Sequence, residues 1–222
     1  ALTAGKTKIW NTLTDWEKGT FEGAAGHQPG HVYRNYAKDF ANYGTIGDVE
    51  DSSKAGFTDV ANHWAKDAIN YVTDKGLMNG TDDNQFSPNA STTRGMLMTV
   101  LARYAGEDTT GGATWYEKGM NWAKANGVSD GTNPPASVTR EQLVTMLFRY
   151  AAAHGMKSVT LEENLSRFTD KASVSAWAVP AMNWAVGQGL IEGSNGLLRP
   201  QANASRAEVA AILMRFAQKI AK

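Results

Sequence analysis

Three hydroxyl–arginine pairs, Thr93-Arg94, Thr139-Arg140 and Ser205-Arg206, are the residues of this chain best suited to chemistry. Each stands where a helix should begin. Ser205-Arg-Ala-Glu208 and Thr139-Arg-Glu-Gln142 have the form of a capping box, in which the hydroxyl and the N3 side chain satisfy each other's free amides. Thr93-Arg-Gly-Met96 keeps only the hydroxyl half, which predicts a helix start held less firmly, by somewhat under about 1 kcal/mol. An arginine on the first turn of a helix sets a planar, permanent cation beside the helix's free amides, and both favour an anion. The alternative is an ion pair or cap that merely fixes the helix. On that view Arg140 and Arg206 are the better anion candidates, because their boxes are intact.

Other chemistry is hard to find. His27 and His31 would face one another only on a helix, and Gln28-Pro29-Gly30 opposes one, so they read as loop histidines. Asp82-Asp83-Asn84 resembles a fragment of a calcium loop without its downstream bidentate glutamate and reads as a solvated turn. Glu162 and Glu163 are adjacent, which does not make a glycosidase pair. There is no nucleophile elbow, phosphate loop or dinucleotide fingerprint. The absence of cysteine excludes thiolate metal sites and disulfides. The expectation is a non-catalytic protein without cofactor or metal.

The elements that position the arginines come from a repeat. Trp64, Trp115 and Trp177 are each followed seven residues later by Tyr71, Trp122 or Trp184. Twelve residues after each tryptophan stands a glycine, and four further a second, giving Gly76-Leu-Met-Asn-Gly80, Gly127-Val-Ser-Asp-Gly131 and Gly189-Leu-Ile-Glu-Gly193. Nine residues past each motif arginine comes another arginine (Arg103, Arg149, Arg215), then Tyr104, Tyr150 or Phe216. Each unit reads as helix, loop, helix. The leading helix carries Trp64, Ala68 and Tyr71 along one face, so the tryptophans are expected in the core. Glycine ends it. The motif helix carries an apolar stripe, Leu97/Leu101, Leu143/Leu147 or Val209/Leu213. A two-helix unit cannot bury its stripe alone, so the three stripes should share one core. Arg103, Arg149 and Arg215 are read as structural.

The size of the chain permits this. Its 222 residues are 42% hydrophobic and 20% charged, enough for a packed core. The 22 basic residues balance 22 acidic ones, which argues against a nucleic-acid binder working through a basic face. No run is long enough to span a membrane. Ala1 to Trp10 contains no signal-peptide core, so an exported protein of this sequence would already have lost its leader.

With these motifs in place, the chain resembles the S-layer homology family of bacterial cell-surface anchoring modules. The resemblance rests on Phe57-Thr58-Asp59-Val60 with His63-Trp64-Ala65, on Phe168-Thr169-Asp170 with Trp177-Ala178, and on the three arginine tetrapeptides in register. It implies modules at 57–106, 113–155 and 168–220, behind a helical extension and linker at 1–56. The implied fold is all-α: three helix-loop-helix repeats forming a pseudo-trimeric, three-lobed spindle around a central helical bundle. The implied partner is secondary cell-wall polysaccharide attached to peptidoglycan, held in grooves between modules, typically through a pyruvylated terminal sugar. The location would be the cell surface, and other surface-protein chains are a further partner the resemblance allows.

A pyruvyl ketal carries a carboxylate, which suits Arg94, Arg140 and Arg206. Asp59 and Asp170 would orient a guanidinium or accept from sugar hydroxyls; a turn or cap bond is the equal alternative. Gly80, Gly131 and Gly193 would let backbone approach the ligand, or else are helix stops. Tryptophans near the groove would stack on a pyranose if they are not core. The second unit lacks the Phe–Asp opening and has a shorter loop, nine residues from Gly131 to Arg140, and the first lacks the glutamate of its closing motif, so one or two grooves are expected to be inactive.

Residues 1–56 lie outside the grid. Ile9, Leu13 and Trp16 suggest a helix within 8–21, and Val32, Tyr33, Tyr36, Phe40 and Tyr43 a second within 32–43, followed by an acidic linker. They read as an extra helical arm or as the tail of an upstream domain. The competing function is a structural or partner-binding scaffold whose grooves no longer bind glycan and whose interface is this segment.

Overall fold

Glycine closes each leading helix and a hydroxyl opens each motif helix. In a computed structural model of the chain, the described residues are 56–156 and 164–220. They belong to a compact unit spanning Gly56–Lys222. The helices expected at 8–21 and 32–43, the linker before Gly56, the His27/His31 pair and Glu162-Glu163 lie outside the described residues. Helices α1 (Lys66–Asp74), α3 (Glu117–Ala125) and α5 (Val179–Gly187) lead the repeats, and α2 (Arg94–Tyr104), α4 (Arg140–Ala153) and α6 (Arg206–Lys219) are the motif helices. The described residues are helical with isolated bridges and no named strand.

Both helix signals hold. Gly76, Gly127 and Gly189 take φ of +66°, +66° and +63°. After α1 the Leu77 amide donates to Val72 O (2.8 Å) and that of Gly76 to Thr73 O (2.9 Å), the paired bonds of a Schellman close, and α3 and α5 repeat the pattern. Thr139/Gln142 and Ser205/Glu208 form complete capping boxes, whereas Thr93 only accepts from the Met96 amide. The stripe residues Leu97, Leu101, Leu143, Leu147, Val209 and Leu213 are fully buried in one continuous core.

The helices that pack together belong to different repeats. Each leading helix lies against the motif helix of the preceding repeat: α3 on α2, α5 on α4, and α1 back on α6. A cycle of backbone bonds accompanies this packing. The Thr92 amide donates to Ala204 O, that of Ala204 to Val138 O, and that of Val138 to Thr92 O, each at 2.9 Å. Farther along the motif helices, the rings of Tyr104, Tyr150 and Phe216 meet mutually, with centroids 5.6 to 6.0 Å apart. Burial and the neighbouring Tyr150 and Tyr71 push the Tyr104 phenol up to about 12.

Asp59 and Asp170 brace the loops. Asp59 accepts from the amides of Phe86 (3.0 Å) and Ser87 (2.7 Å), and Asp170 from Leu198 (2.8 Å) and Arg199 (2.7 Å). Ser87 and Arg199 stand in the left-handed region at φ +56° and +51°, just before a proline, so the carboxylate offsets a strained backbone. The second repeat has Asn133 at the same place (φ +49°), a residue that tolerates this conformation unaided. Burial raises the Asp170 pKa, but the Leu198 and Arg199 amides and the charge of Arg140 outweigh it, holding the carboxyl below its usual range. A Cβ on Gly80 would stand 2.5 Å from the Phe57 ring and one on Gly193 2.6 Å from Phe168. Those glycines therefore admit the phenylalanine of the opening signature. Gly131 has no phenylalanine above it and serves its own φ of +70°.

Two outcomes follow from this packing. Among the described residues, the buried Thr92 Oγ1 finds no hydrogen-bond partner, and the other repeats place Val138 and Ala204 there. Thr92→Val is expected to stabilise the protein by about 1 kcal/mol in chemical denaturation, because it removes an unsatisfied polar group. Asp170→Asn is expected to destabilise it at neutral pH by about 1 to 3 kcal/mol. Since the folded pKa of Asp170 is depressed, its contribution is present above the unfolded value of about 3.9 and lost as pH falls through the folded value. The variant and wild type should therefore converge at low pH in acid denaturation curves.

Candidate functional site

Each motif arginine leaves its own repeat at the first helical position and runs along the loop of the next. The Nε atoms donate to the same position in all three: Arg94 to Thr132 O (3.0 Å), Arg140 to Leu198 O (2.9 Å) and Arg206 to Phe86 O (2.8 Å). Beyond that shared bond the three diverge. Arg94 Nη2 donates to Asp130 Oδ1 (2.6 Å) and Ser129 Oγ (3.0 Å). Arg140 Nη1 donates to Glu208 Oε1 at 2.5 Å. Arg206 is only 5% exposed; its Nη2 donates to Asn79 O (2.6 Å), its cation lies 4.4 Å from the Phe86 ring centre, and its Nη1 lies 4.0 Å from Met96 Sδ.

Charge follows these contacts. The Thr132 amide, helped by the Thr132 and Ser129 contacts and the Arg94 charge, holds the Asp130 carboxyl below its usual range against partial burial. Burial pulls the Arg206 guanidinium below its ordinary pKa, with the charge of Asp59 opposing. A guanidinium keeps its proton in a protein, so Arg206 remains a cation.

The helix amides expected to receive an anion are occupied. Arg94, Arg140 and Arg206 donate their own amides to Ala136 O, Ala202 O and Ala90 O, and the next amides in each helix go to Pro134 O, Pro200 O and Pro88 O, at 2.8 to 2.9 Å. The third amide goes to the cap hydroxyl. Closure of the repeats on each other uses the donors that an isolated helix would leave free.

Three equivalent grooves remain open, each assembled from all three repeats. Arg140, Glu192, Glu208, Arg215 and Trp64 border one of about 420 Å³. Asn79, Met96, Arg103, Trp115 and Arg206 border a second of about 490 Å³. Arg94, Asp130, Gln142, Arg149 and Trp177 border a third of about 300 Å³. Every groove thus takes a motif arginine from one repeat, the loop and motif helix of the next, and a tryptophan from the one after.

The tryptophans correct the sequence reading. Trp64, Trp115 and Trp177 are 66%, 56% and 54% exposed rather than core. Each precedes its α-helix, which starts at Lys66, Glu117 or Val179, so helical spacing to the aromatic seven residues on does not apply. The acids that open two of those helices, Asp67 and Glu117, were the signal that the helix starts later. Arg103, Arg149 and Arg215, read as structural, border the grooves. Arg103 also bonds Thr109 Oγ1 (2.9 Å), and Arg215 bonds Leu190 O (3.0 Å) and pairs with Glu192 (3.5 Å). Of the other candidates, Gly80 and Gly193 border grooves, whereas Asp59, Asp170 and Gly131 border none of the three.

Among the described residues no helix is long and apolar enough to cross a membrane, and no cluster of three or more acidic or histidine side chains is arranged to hold a metal ion.

The chain belongs to the S-layer homology domain family, whose model matches residues 56–95 and 167–210. Those stretches fall in the first and third repeats; the second, which lacks the Phe–Asp opening, is not matched. The chain is 32% identical over 178 residues to an amylopullulanase of Thermoanaerobacterium thermosulfurigenes, covering 73% of this chain and 10% of that protein. It is 31% identical over 177 residues to exoglucanase XynX of Acetivibrio thermocellus, covering 73% and 16%. It is 26% identical over 191 residues to an S-layer protein of Bacillus licheniformis, covering 81% and 22%. The chain therefore spans under a quarter of each of these relatives. S-layer homology domains are non-catalytic cell-wall anchoring modules of S-layer proteins and surface enzymes.

The arginines and tryptophans should separate in a stability test. Arg206→Ala leaves the carbonyls of Phe86 and Asn79 without their donor and is expected to cost about 2 to 4 kcal/mol in denaturant unfolding. Trp115→Ala removes an exposed ring and should stay within about 0.5 kcal/mol of wild type.

Proposed function

We propose that this chain tethers a surface protein to the bacterial cell wall by holding secondary cell-wall polysaccharide, attached to peptidoglycan, in the grooves between its repeats. The acidic group recognised is a pyruvylated terminal sugar. The three repeats act as three modules, at 57–106, 113–155 and 168–220, arranged as a three-lobed spindle, and the chain carries no catalysis of its own. One observation carries the reading: each groove joins a half-exposed indole to at least two arginines. A flat apolar ring suits a pyranose face and a guanidinium suits its carboxylate. Arg94, Arg140 and Arg206 both lace the repeats and present their outer edges to the ligand. Gly80 and Gly193 supply groove backbone. Asp59, Asp170 and Gly131 act indirectly by holding the loops.

A second reading has a specific observation in its favour. Arg94 and Arg140 are already paired with Asp130 and Glu208, as in a scaffold whose grooves have stopped binding glycan.

Calorimetric titration with purified wall polysaccharide distinguishes them. Wild type should bind; removal of the ketal should abolish binding; and Trp115→Ala should weaken it at least about tenfold, or ~1.4 kcal/mol, with unchanged Tm. No heat of binding with intact polysaccharide would leave the scaffold reading standing.

A further inference from the structure

The chain holds three Asn-Gly pairs, Asn79-Gly80, Asn126-Gly127 and Asn195-Gly196. In such a pair the glycine nitrogen can reach the asparagine side-chain carbonyl carbon, because the following residue has no Cβ in the way. The structure treats the three differently. Asn126 closes α3: its Nδ2 donates to Trp122 O (2.9 Å) and the Gly127 amide to Lys124 O (3.2 Å), so both reacting groups are tied. Asn79 has its backbone carbonyl held by Arg206 Nη2 (2.6 Å), and Gly80 is wedged under Phe57, where an added Cβ would stand 2.5 Å from the ring. Neither pair can swing toward attack without breaking those contacts.

Asn195-Gly196 is held by neither device. It forms the tip of a turn whose ends, Ser194 and Leu197, exchange backbone bonds of 2.9 and 3.0 Å. Both tip residues have positive φ, +52° and +73°, the form that Asn-Gly favours. Both are exposed, and an added Cβ on Gly196 would meet nothing within 4 Å. Among the described residues, the Asn195 side chain and the Gly196 amide make no hydrogen bond. Rotation at the tip is opposed by the turn's own pair of bonds and by a latch from Thr169, whose amide (3.0 Å) and hydroxyl (3.3 Å) both donate to Gly196 O. That latch ties the loop to the opening signature Phe168-Thr169-Asp170. The first repeat builds it too, with Thr58 donating twice to Asn84 O (2.9 and 3.1 Å), but there Gln85 follows the asparagine and its side chain crowds the attack.

We propose that Asn195-Gly196 is a site of spontaneous modification, at which the chain converts itself to isoaspartate and aspartate and so releases the latch on the third repeat. The inference is independent of the wall-binding reading. The Gly196 nitrogen attacks Asn195 Cγ, the Cγ–Nδ2 bond breaks, and a five-membered succinimide forms. The amide proton passes to solvent base, and the departing nitrogen takes up a proton and leaves as ammonia. Water then opens the ring. Addition at Cγ gives aspartate; addition at the former backbone carbonyl gives isoaspartate, in which the chain runs through Cβ and Cγ. The extra backbone atom moves Gly196 O out of register with Thr169, and the freed carboxylate leaves a charge at the tip. The nucleophile is tethered beside its target, so the step needs no reagent but water.

The test incubates the folded full chain at mildly alkaline pH and follows it by peptide mapping, with isoaspartate scored by a protein isoaspartyl methyltransferase. Asn195 should convert at least about tenfold faster than Asn79 or Asn126, mostly to isoaspartate. Hydrogen exchange at the Thr169 amide should then be at least about tenfold faster in aged than in fresh protein, with Tm about 2 to 4 °C lower. Asn195→Gly suits the positive φ and removes the electrophile, so its fresh and aged forms should be alike. Asn195→Asp adds the charge without the extra backbone atom, and freshly made it should keep the latch. Conversion at Asn79 or Asn126 as fast as at Asn195, or no conversion at all, overturns the site. Unchanged Thr169 exchange after conversion overturns the release, as does the same loss in aged Asn195→Gly or in fresh Asn195→Asp.

Discussion

The structure depends on a cyclic exchange of backbone bonds. Each motif helix gives its first two amides, and its arginine Nε, to carbonyls of the next repeat's loop, and the third repeat returns the favour to the first. Each such bond contributes about 1 kcal/mol net, but leaving a buried carbonyl unmet costs about 1 to 3, so the ring resists opening at any one place. The swapped helix packing follows: a leading helix is delivered to the motif helix of the preceding repeat, and α1 closes on α6. No repeat buries its own stripe. A set closed in this way has no terminal repeat to shed, unlike an open array.

This constraint also decides what a groove is made of. The ring consumes the helix amides, so anion recognition falls to side chains. An arginine with Nε tied to a neighbouring carbonyl has its guanidinium plane fixed and its outer edge turned to the cleft. Because the cleft lies between repeats, its walls come from three segments far apart in sequence, such as Asn79, Trp115 and Arg206. Site formation and chain closure are therefore one event. Asp59 and Asp170 serve the site at one remove: they hold the Ser87 and Arg199 turns that aim the Phe86 and Leu198 carbonyls at the arginines.

The local structure was legible in the sequence because local rules govern it. The box residues Thr139/Gln142 and Ser205/Glu208, the glycines at 76, 127 and 189, and the buried leucines of the motif helices each depend on neighbours within a turn or two. The tryptophans were misread because helical spacing was extended across a helix start that lies just beyond them. The fate of the first-turn amides was not legible at all: nothing near Arg94 in sequence points to Ala136, and periodicity does not say which distant carbonyl a helix end will meet. The aspartates lay between, since a turn bond was one of the two readings and the strained residue was too remote to favour it.

Met96 joins the two scales. Read locally, its place at N3 is a defect that forfeits half of a capping box. Read across the ring, N3 of one motif helix lies beside the arginine of the preceding repeat, as Glu208 does for Arg140 and Met96 for Arg206. One side chain therefore sets both the firmness of its helix start and the availability of a neighbour's cation, and it cannot maximise both. A carboxylate secures the helix and quenches the guanidinium; a thioether frees the guanidinium at the expense of the cap. Departures from a local folding rule concentrate where a site needs an unsatisfied group. Here the irregular member of a threefold repeat is the one that sets a thioether, where another sets a carboxylate, against the neighbouring arginine.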